Sequence, residues 1–117
     1  MPNENILLLV SDPKISVMLE RGALRPAGYE VTIAAEREAA ETLVKGSPPD
    51  LVILGEKLGD SDGIEFGVRL LERNPFLPVI LLVDQVSDQV LLRALRAGFT
   101  DCLVPPLHTG DVIRTVQ

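Results

Sequence analysis

Residues 6–13, Ile6-Leu-Leu-Leu-Val10 followed by Ser11-Asp12-Pro13, decide the fold class. The five consecutive apolar residues are typical of a strand that is buried on both faces of a parallel sheet. Asp and Pro are favoured at the N-cap and at the first position of a helix, so a helix should begin at Pro13. The stretch therefore predicts a strand that passes directly into a helix.

The same unit recurs along the chain. Four further short apolar runs predict strands at Val31–Ile33, Leu51–Leu54, Val79–Val83 and Cys102–Val104. Between the runs, apolar residues recur at the i, i+3, i+4, i+7 spacing of amphipathic helices: Ile15, Met18, Leu19 and Gly22; Ile64, Gly67, Val68 and Leu71; Leu91, Ala94, Leu95 and Gly98. Two more helices are expected at Arg37–Lys45 and His108–Gln117. This alternation predicts a three-layer α/β domain with a doubly wound, five-stranded parallel sheet.

Composition limits the classes of function. The chain has 117 residues, enough for one domain, and a net charge of −6, which disfavours a nucleic-acid partner. The single cysteine, Cys102, excludes a disulfide framework, and no apolar run approaches the about 18 residues of a membrane span. We therefore expect a cytoplasmic protein without a membrane contact. The last predicted helix is short, so we also expect residues 1–117 to be the N-terminal part of a longer protein.

Local motifs favour structural roles over catalytic ones. Asp60-Ser-Asp62-Gly63 lacks the further ligands of a calcium loop and reads as a turn with a helix cap. His108 has no neighbouring acid or nucleophile, and Cys102 is interpreted as a small buried residue. Dinucleotide, P-loop and hydrolase motifs do not occur, so no enzymatic activity, metal or cofactor is predicted.

Six stretches in order resemble the receiver domain of two-component response regulators across essentially the whole chain. They are Ile6–Asp12, Ala27–Val31, Pro49–Leu54, Asp62–Glu65, Pro78–Leu82 and Ala94–Leu103. The resemblance implies a flavodoxin-like receiver fold. In working members it also implies an aspartyl phosphorylation site at the carboxyl edge of the sheet.

The residues at that edge depart from the family pattern. Gly55 stands where the phosphoacceptor aspartate is expected, and Ser11 and Asp12 where two magnesium-binding acids are expected. Val83 replaces a hydroxyl residue and Pro105 replaces a lysine, while Cys102 takes the place of a switch aromatic and Phe99 that of an alanine. With Lys57, the residues Ser11, Asp12, Gly55, Val83 and Pro105 are predicted to form a vestigial phosphorylation pocket.

Three functions remain open at this point. The leading hypothesis is a pseudo-receiver that acts by phosphorylation-independent protein contact, as a homodimer or with a partner such as a fused output domain. The alternatives are a phosphorelay acceptor that uses a displaced acid, with Glu56, Asp60 and Asp84 nearby, and a cofactor-binding flavodoxin-like domain. Fold alone does not decide among them.

Relatives dimerise through the face formed by the fourth helix, the fifth strand and the fifth helix. On this chain the resemblance predicts an interaction face that contains Arg93, Arg96, Asp101, Cys102 and Arg114. It also predicts a cis peptide bond between Pro105 and Pro106, because relatives hold the corresponding bond cis.

Overall fold

The computed structural model describes residues 4–117. Its strands are β1 (Asn5–Leu9), β2 (Glu30–Ala34), β3 (Leu51–Gly55), β4 (Lys57–Leu58), β5 (Ser61–Asp62), β6 (Val79–Leu82) and β7 (Asp101–Leu103). Its α-helices are α1 (Pro13–Leu19), α2 (Arg37–Gly46), α3 (Gly63–Arg73), α4 (Asp88–Arg96) and α5 (Thr109–Val116). A π-helical turn, Glu20–Leu24, continues α1.

Five strands form one parallel sheet in the order β2-β1-β3-β6-β7. The register aligns Leu9 with Leu54 and Gly55 with Leu82, so the carboxyl ends of the central strands meet at one edge. The predicted five-stranded, doubly wound α/β fold is confirmed.

Alternate residues of the strands enter two separate hydrophobic cores. In β1, Leu7 and Leu9 pack with α2, α3 and α4, whereas Ile6 and Leu8 pack with α1 and α5. Both faces of the sheet are therefore covered by helices, which explains the continuous apolar runs and gives the predicted three layers.

The first helix is longer than its stripe indicated. Asp12 caps α1 as predicted, with its Oδ1 accepting a hydrogen bond of 2.9 Å from the Lys14 backbone N–H. The π-helical turn then rotates Ala23 and Leu24 into the core and leaves Gly22 exposed. The assignment of Gly22 to the buried face was wrong because the extra residue of a π turn changes the helical phase.

The predicted inner stripe of the fourth helix was also wrong in part. Leu95 is 70% exposed, whereas Ala94 beside it is only 1% exposed and packs in the core. Helix α4 ends at Arg96, and Gly98 lies beyond it with φ +91°, the left-handed conformation that favours glycine. The helix rests on the sheet through a narrow strip around Ala94, so Leu95 points outward.

A short hairpin that the sequence did not predict precedes α3. Strands β4 and β5 pair antiparallel around a turn at Gly59, where φ is +64°. Asp62 then caps α3 as expected, since its Oδ1 accepts from the Ile64 N–H at 2.9 Å. A side chain at Gly63 would overlap the carbonyl oxygen of Gly55, so this glycine lets α3 begin directly against the end of β3. Across residues 4–117, no helix has the length and apolar character that spanning a membrane requires.

Candidate functional site

A cavity of about 190 Å³ opens at the carboxyl edge of the sheet. All six residues of the predicted vestigial pocket line it: Ser11, Asp12, Gly55, Lys57, Val83 and Pro105. Ligands of doubly wound folds bind at this edge, where the strands end and the loops diverge. We call this space the carboxyl-edge cavity.

Gly55 ends β3 at the wall of the cavity. Its φ is not positive, and an added Cβ would lie 3.6 Å from the Lys57 carbonyl oxygen and 3.7 Å from that of Leu9. These are ordinary van der Waals separations, so neither the backbone nor the packing requires glycine here.

The polar groups of the cavity are few and partly engaged. The Ser11 hydroxyl donates to the Lys57 carbonyl oxygen at 3.3 Å, and one carboxylate oxygen of Asp12 caps α1. Lys57 is exposed and makes no ion pair with any residue in 4–117. Asp84 is the second carboxylate among the lining residues.

Magnesium is the cofactor that the resemblance to receiver domains implies at this edge. In residues 4–117, no group of three or more His, Cys, Asp or Glu side chains converges as a metal site. The lining residues include the acids Asp12 and Asp84 and the cationic residue Lys57. Mg²⁺ is usually held by one or two carboxylates together with phosphate oxygens and water. One Asp12 oxygen is engaged by the Lys14 N–H, and Gly55 supplies neither a carboxylate nor a phosphoryl group, so this donor set fits the ion poorly.

The other two acids considered from the sequence lie outside the cavity lining. The Glu56 carboxylate accepts a hydrogen bond of 3.1 Å from the Asp84 N–H, and Asp60 lies on the β4–β5 hairpin beside a neighbouring hollow. Glu56 therefore does not occupy the space in front of Gly55.

Val83 and Pro105 make the remaining wall apolar. Val83 is buried and follows β6, while Pro105 follows β7 in the loop that leads to α5. The Pro105–Pro106 bond is cis, which confirms that prediction. Neither side chain has a hydroxyl or an ammonium group that would contact a phosphoryl oxygen.

The residues of the predicted interaction face divide into two places. Asp101, Cys102 and Arg114 surround a shallow hollow of about 390 Å³ next to α5. Arg93 instead points toward the hairpin and pairs with Asp62 at 2.7 Å, and Arg96 is exposed. Arg114 pairs with Asp111 on its own helix.

Two titratable groups near this face have shifted pKa values. Burial alone raises the pKa of Asp62, but the hydrogen bond and charge of Arg93 and the Ile64 N–H outweigh it, so the pKa lies below its ordinary value. Burial, followed by the charge of Asp101, raises the pKa of the Cys102 thiol. Cys102 is half-buried rather than fully buried because β7 is an edge strand.

Three apolar side chains in or just before α4 are exposed: Leu95 at 70%, Val86 at 67% and Leu92 at 47%. The sequence analysis did not assign them to a surface. The i, i+3 spacing of Leu92 and Leu95 was a usable signal, but it merged with the Leu91 and Ala94 stripe. We call Val86, Leu92 and Leu95 the α4 apolar patch.

The fold and the position of the cavity define a doubly wound α/β domain with a pocket at the carboxyl ends of parallel strands. The chain belongs to the response regulator receiver domain family, whose model matches residues 7–117. It is therefore a receiver module of a signal-transduction system, and the doubly wound fold inferred from the sequence is that of this family.

Sequence similarity to individual proteins supports the assignment to this family. The chain is 31% identical over 109 residues to the "probable transcriptional regulatory protein TcrX" of Mycobacterium tuberculosis, covering 92% of this chain and 46% of TcrX. It is 30% identical to the transcriptional regulatory protein ZraR of Escherichia coli, covering 100% of this chain and 27% of ZraR. The chain thus spans less than half the length of these curated relatives.

A solved structure shows the shared fold. The chemotaxis protein CheY4 of Vibrio cholerae superposes with a TM-score of 0.91 at 24% identity, covering 99% of this chain and 98% of CheY4. The similarity extends over both cores and all five helices.

Proposed function

We propose that this chain is a pseudo-receiver, a receiver domain that transmits signals by protein contact without being phosphorylated. The observation that carries the proposal is Gly55 at the wall of the carboxyl-edge cavity. Glycine supplies no nucleophile, and a Cβ at this position would make only ordinary van der Waals contacts, so the backbone does not require glycine. Glycine in place of the phosphoacceptor aspartate therefore removes the phosphorylation site and leaves the fold intact.

The other lining residues support the same conclusion. Val83 and Pro105 offer apolar surface where a phosphoryl group needs donors, and the two carboxylates of the cavity would repel the anion. Lys57 is the one cation among the lining residues, and it is exposed. The cavity is thus poorly suited to bind either a phosphoryl group or the metal that accompanies it.

A phosphodonor assay tests this proposal. The purified chain is incubated with acetyl phosphate and Mg²⁺ and analysed by intact-mass spectrometry. The matched control carries Ser11→Asp, Gly55→Asp, Val83→Thr and Pro105→Lys, which restores the family's residue type at four positions of the cavity. We expect an unmodified wild type and a variant that gains one phosphoryl group. An adduct on wild-type Asp12, Asp60 or Asp84 would establish the displaced-acid alternative and refute the proposal.

The contact surface is proposed to be the α4, β7 and α5 face. The α4 apolar patch supplies hydrophobic area and Arg96 of α4 supplies positive charge, while Arg114 lies on α5 beside Asp101 and Cys102. Exposed ion pairs contribute only about 0–1 kcal/mol each, so the apolar residues must supply most of the affinity. A partner protein, a second copy or a fused output domain is the proposed occupant, in the cytoplasm.

Sedimentation velocity tests whether this face self-associates. The double variant Arg96→Glu with Arg114→Glu should weaken any dimer and leave the melting temperature almost unchanged. The control, Arg73→Glu, changes an exposed arginine at the end of α3, outside the face. If the double variant and wild type give the same distribution of species and bind the native output region equally, the contact face lies elsewhere.

A further inference from the structure

Two acidic side chains from the segment between β3 and α3 reach across to the next unit of the sheet. The Glu56 Oε1 accepts from the Asp84 N–H at 3.1 Å, and the Asp62 Oδ2 accepts from the Arg93 Nη2 at 2.7 Å. The partners are 28 and 31 residues apart in sequence. Both contacts end on the β6–α4 loop or on α4 itself.

Glu56 is attached to the end of β6 at two points. Its backbone N–H donates to the Leu82 carbonyl oxygen at 3.0 Å, and its carboxylate receives the Asp84 N–H on the other side of Val83. The residue that follows β3 thus joins this strand to the end of β6 through its own backbone and side chain, without a phosphoryl group.

The Asp62 carboxylate is oriented by a second hydrogen bond besides its pair with Arg93. One carboxylate oxygen is fixed by the Ile64 N–H at the start of α3, which leaves the other oxygen for the arginine of α4. Charge-assisted hydrogen bonds of this kind are stronger than neutral ones. The middle of α4 is thereby joined to the β4–β5 hairpin.

We propose that Glu56 and Asp62 form a carboxylate tether that holds the β6–α4 loop and α4 in a single arrangement without any phosphoryl group. The tether keeps the α4 apolar patch presented for contact. This inference rests on the proposed function, because a permanent connection is useful only where phosphorylation does not control the surface.

Amide hydrogen exchange followed by NMR tests the tether in the 117-residue chain. Glu56→Ala should speed exchange of the Asp84 amide about three- to tenfold, the loss expected for one hydrogen bond. Glu56→Gln retains an oxygen acceptor and should change this rate by less than about threefold. Asp62→Asn keeps a good helix cap but loses its charge, and it should speed exchange in α4.

A matched control separates these effects from general loss of an ion pair. Glu65→Ala breaks the Glu65–Arg69 pair, which lies within α3, and should leave exchange in the β6–α4 loop unchanged. Exchange in β1 and β3 reports whether each variant remains folded. The tether is refuted if Glu56→Ala leaves the Asp84 amide at its wild-type rate or if Asp62→Asn leaves α4 unchanged.

The two proposals fail in different experiments. Phosphorylation of the wild type by acetyl phosphate would refute the pseudo-receiver function and leave the exchange results standing. Unchanged exchange would refute the tether even if no phosphoryl adduct forms.

Discussion

Substitution of Gly67 by alanine tests the packing between α3 and Phe99, which lies in the loop between α4 and β7. A Cβ at Gly67 would lie 2.6 Å from Cε1 of the Phe99 ring and 3.0 Å from Cδ1 of Leu54, with the ring's Cζ closer still. Such overlap requires the buried ring to move, and overpacking of this kind costs about 1–3 kcal/mol. Alanine recovers about 1 kcal/mol through its higher helix propensity. Gly67→Ala should therefore lower the free energy of unfolding by about 0–2 kcal/mol.

The sign of the effect should reverse once the ring is removed. Phe99→Ala alone should destabilise the domain by about 3–5 kcal/mol. In that background the overlap with the ring is gone, so Gly67→Ala should stabilise by up to about 1 kcal/mol. The double-mutant cycle should thus give a coupling energy of about 1–3 kcal/mol.

Urea denaturation followed by circular dichroism measures all four free energies. Gly46→Ala is the control, because a Cβ at this helical glycine of α2 meets no atom within 4 Å and should not destabilise. If Gly67→Ala changes stability equally with and without the ring, the coupling is absent. The close approach of α3 to Phe99 would then not explain the glycine.

Three further outcomes are expected. Millimolar Mg²⁺ should leave the melting temperature of the wild type nearly unchanged, because a ligand stabilises a protein only at concentrations near or above its Kd and this cavity should bind Mg²⁺ weakly. A rise of several degrees with Mg²⁺, but not with Na⁺ at equal ionic strength, would contradict this expectation. Arg93→Gln should lower stability at pH 7 by up to about 1 kcal/mol, the value for an exposed pair. Because the pKa of Asp62 is depressed in the folded state, this contribution is present above its ordinary value of 3.8 and is lost as the pH falls through the folded-state pKa. Urea titrations at a series of pH values from 7 down to 2 should show the difference between variant and wild type shrinking below pH 3.8, and a difference that stays constant over the whole series would exclude the pair as the cause. The Cys102 thiol, with its raised pKa, should react with iodoacetamide at pH 8 more slowly in the folded chain than in urea; equal rates by mass spectrometry would show that burial does not protect it.

The sequence predicted the layers of the domain well because the central strands β1, β3 and β6 are buried on both faces. Runs such as Leu51–Leu54 have no polar alternation, so their position in the centre of a parallel sheet was clear. The position of the carboxyl-edge cavity followed from the same topology, because parallel strands end at one side.

Features that depend on local geometry were harder to predict. Leu95 and Ala94 fit the same helical stripe, and only the packing of α4 on the sheet shows which of them faces inward. The hairpin of β4 and β5 has two residues in each strand, too few to produce a periodic signal. The bond from Glu56 to the Asp84 N–H joins residues 28 apart, and no spacing rule connects them.

Gly55 and Gly63 lie against each other at the start of α3, yet they differ in how freely they can be replaced. A Cβ fits at position 55, whereas at position 63 it would collide with the carbonyl oxygen of Gly55. The backbone therefore tolerates a residue with a Cβ at position 55, whereas any residue other than glycine at position 63 would force the start of α3 away from the end of β3.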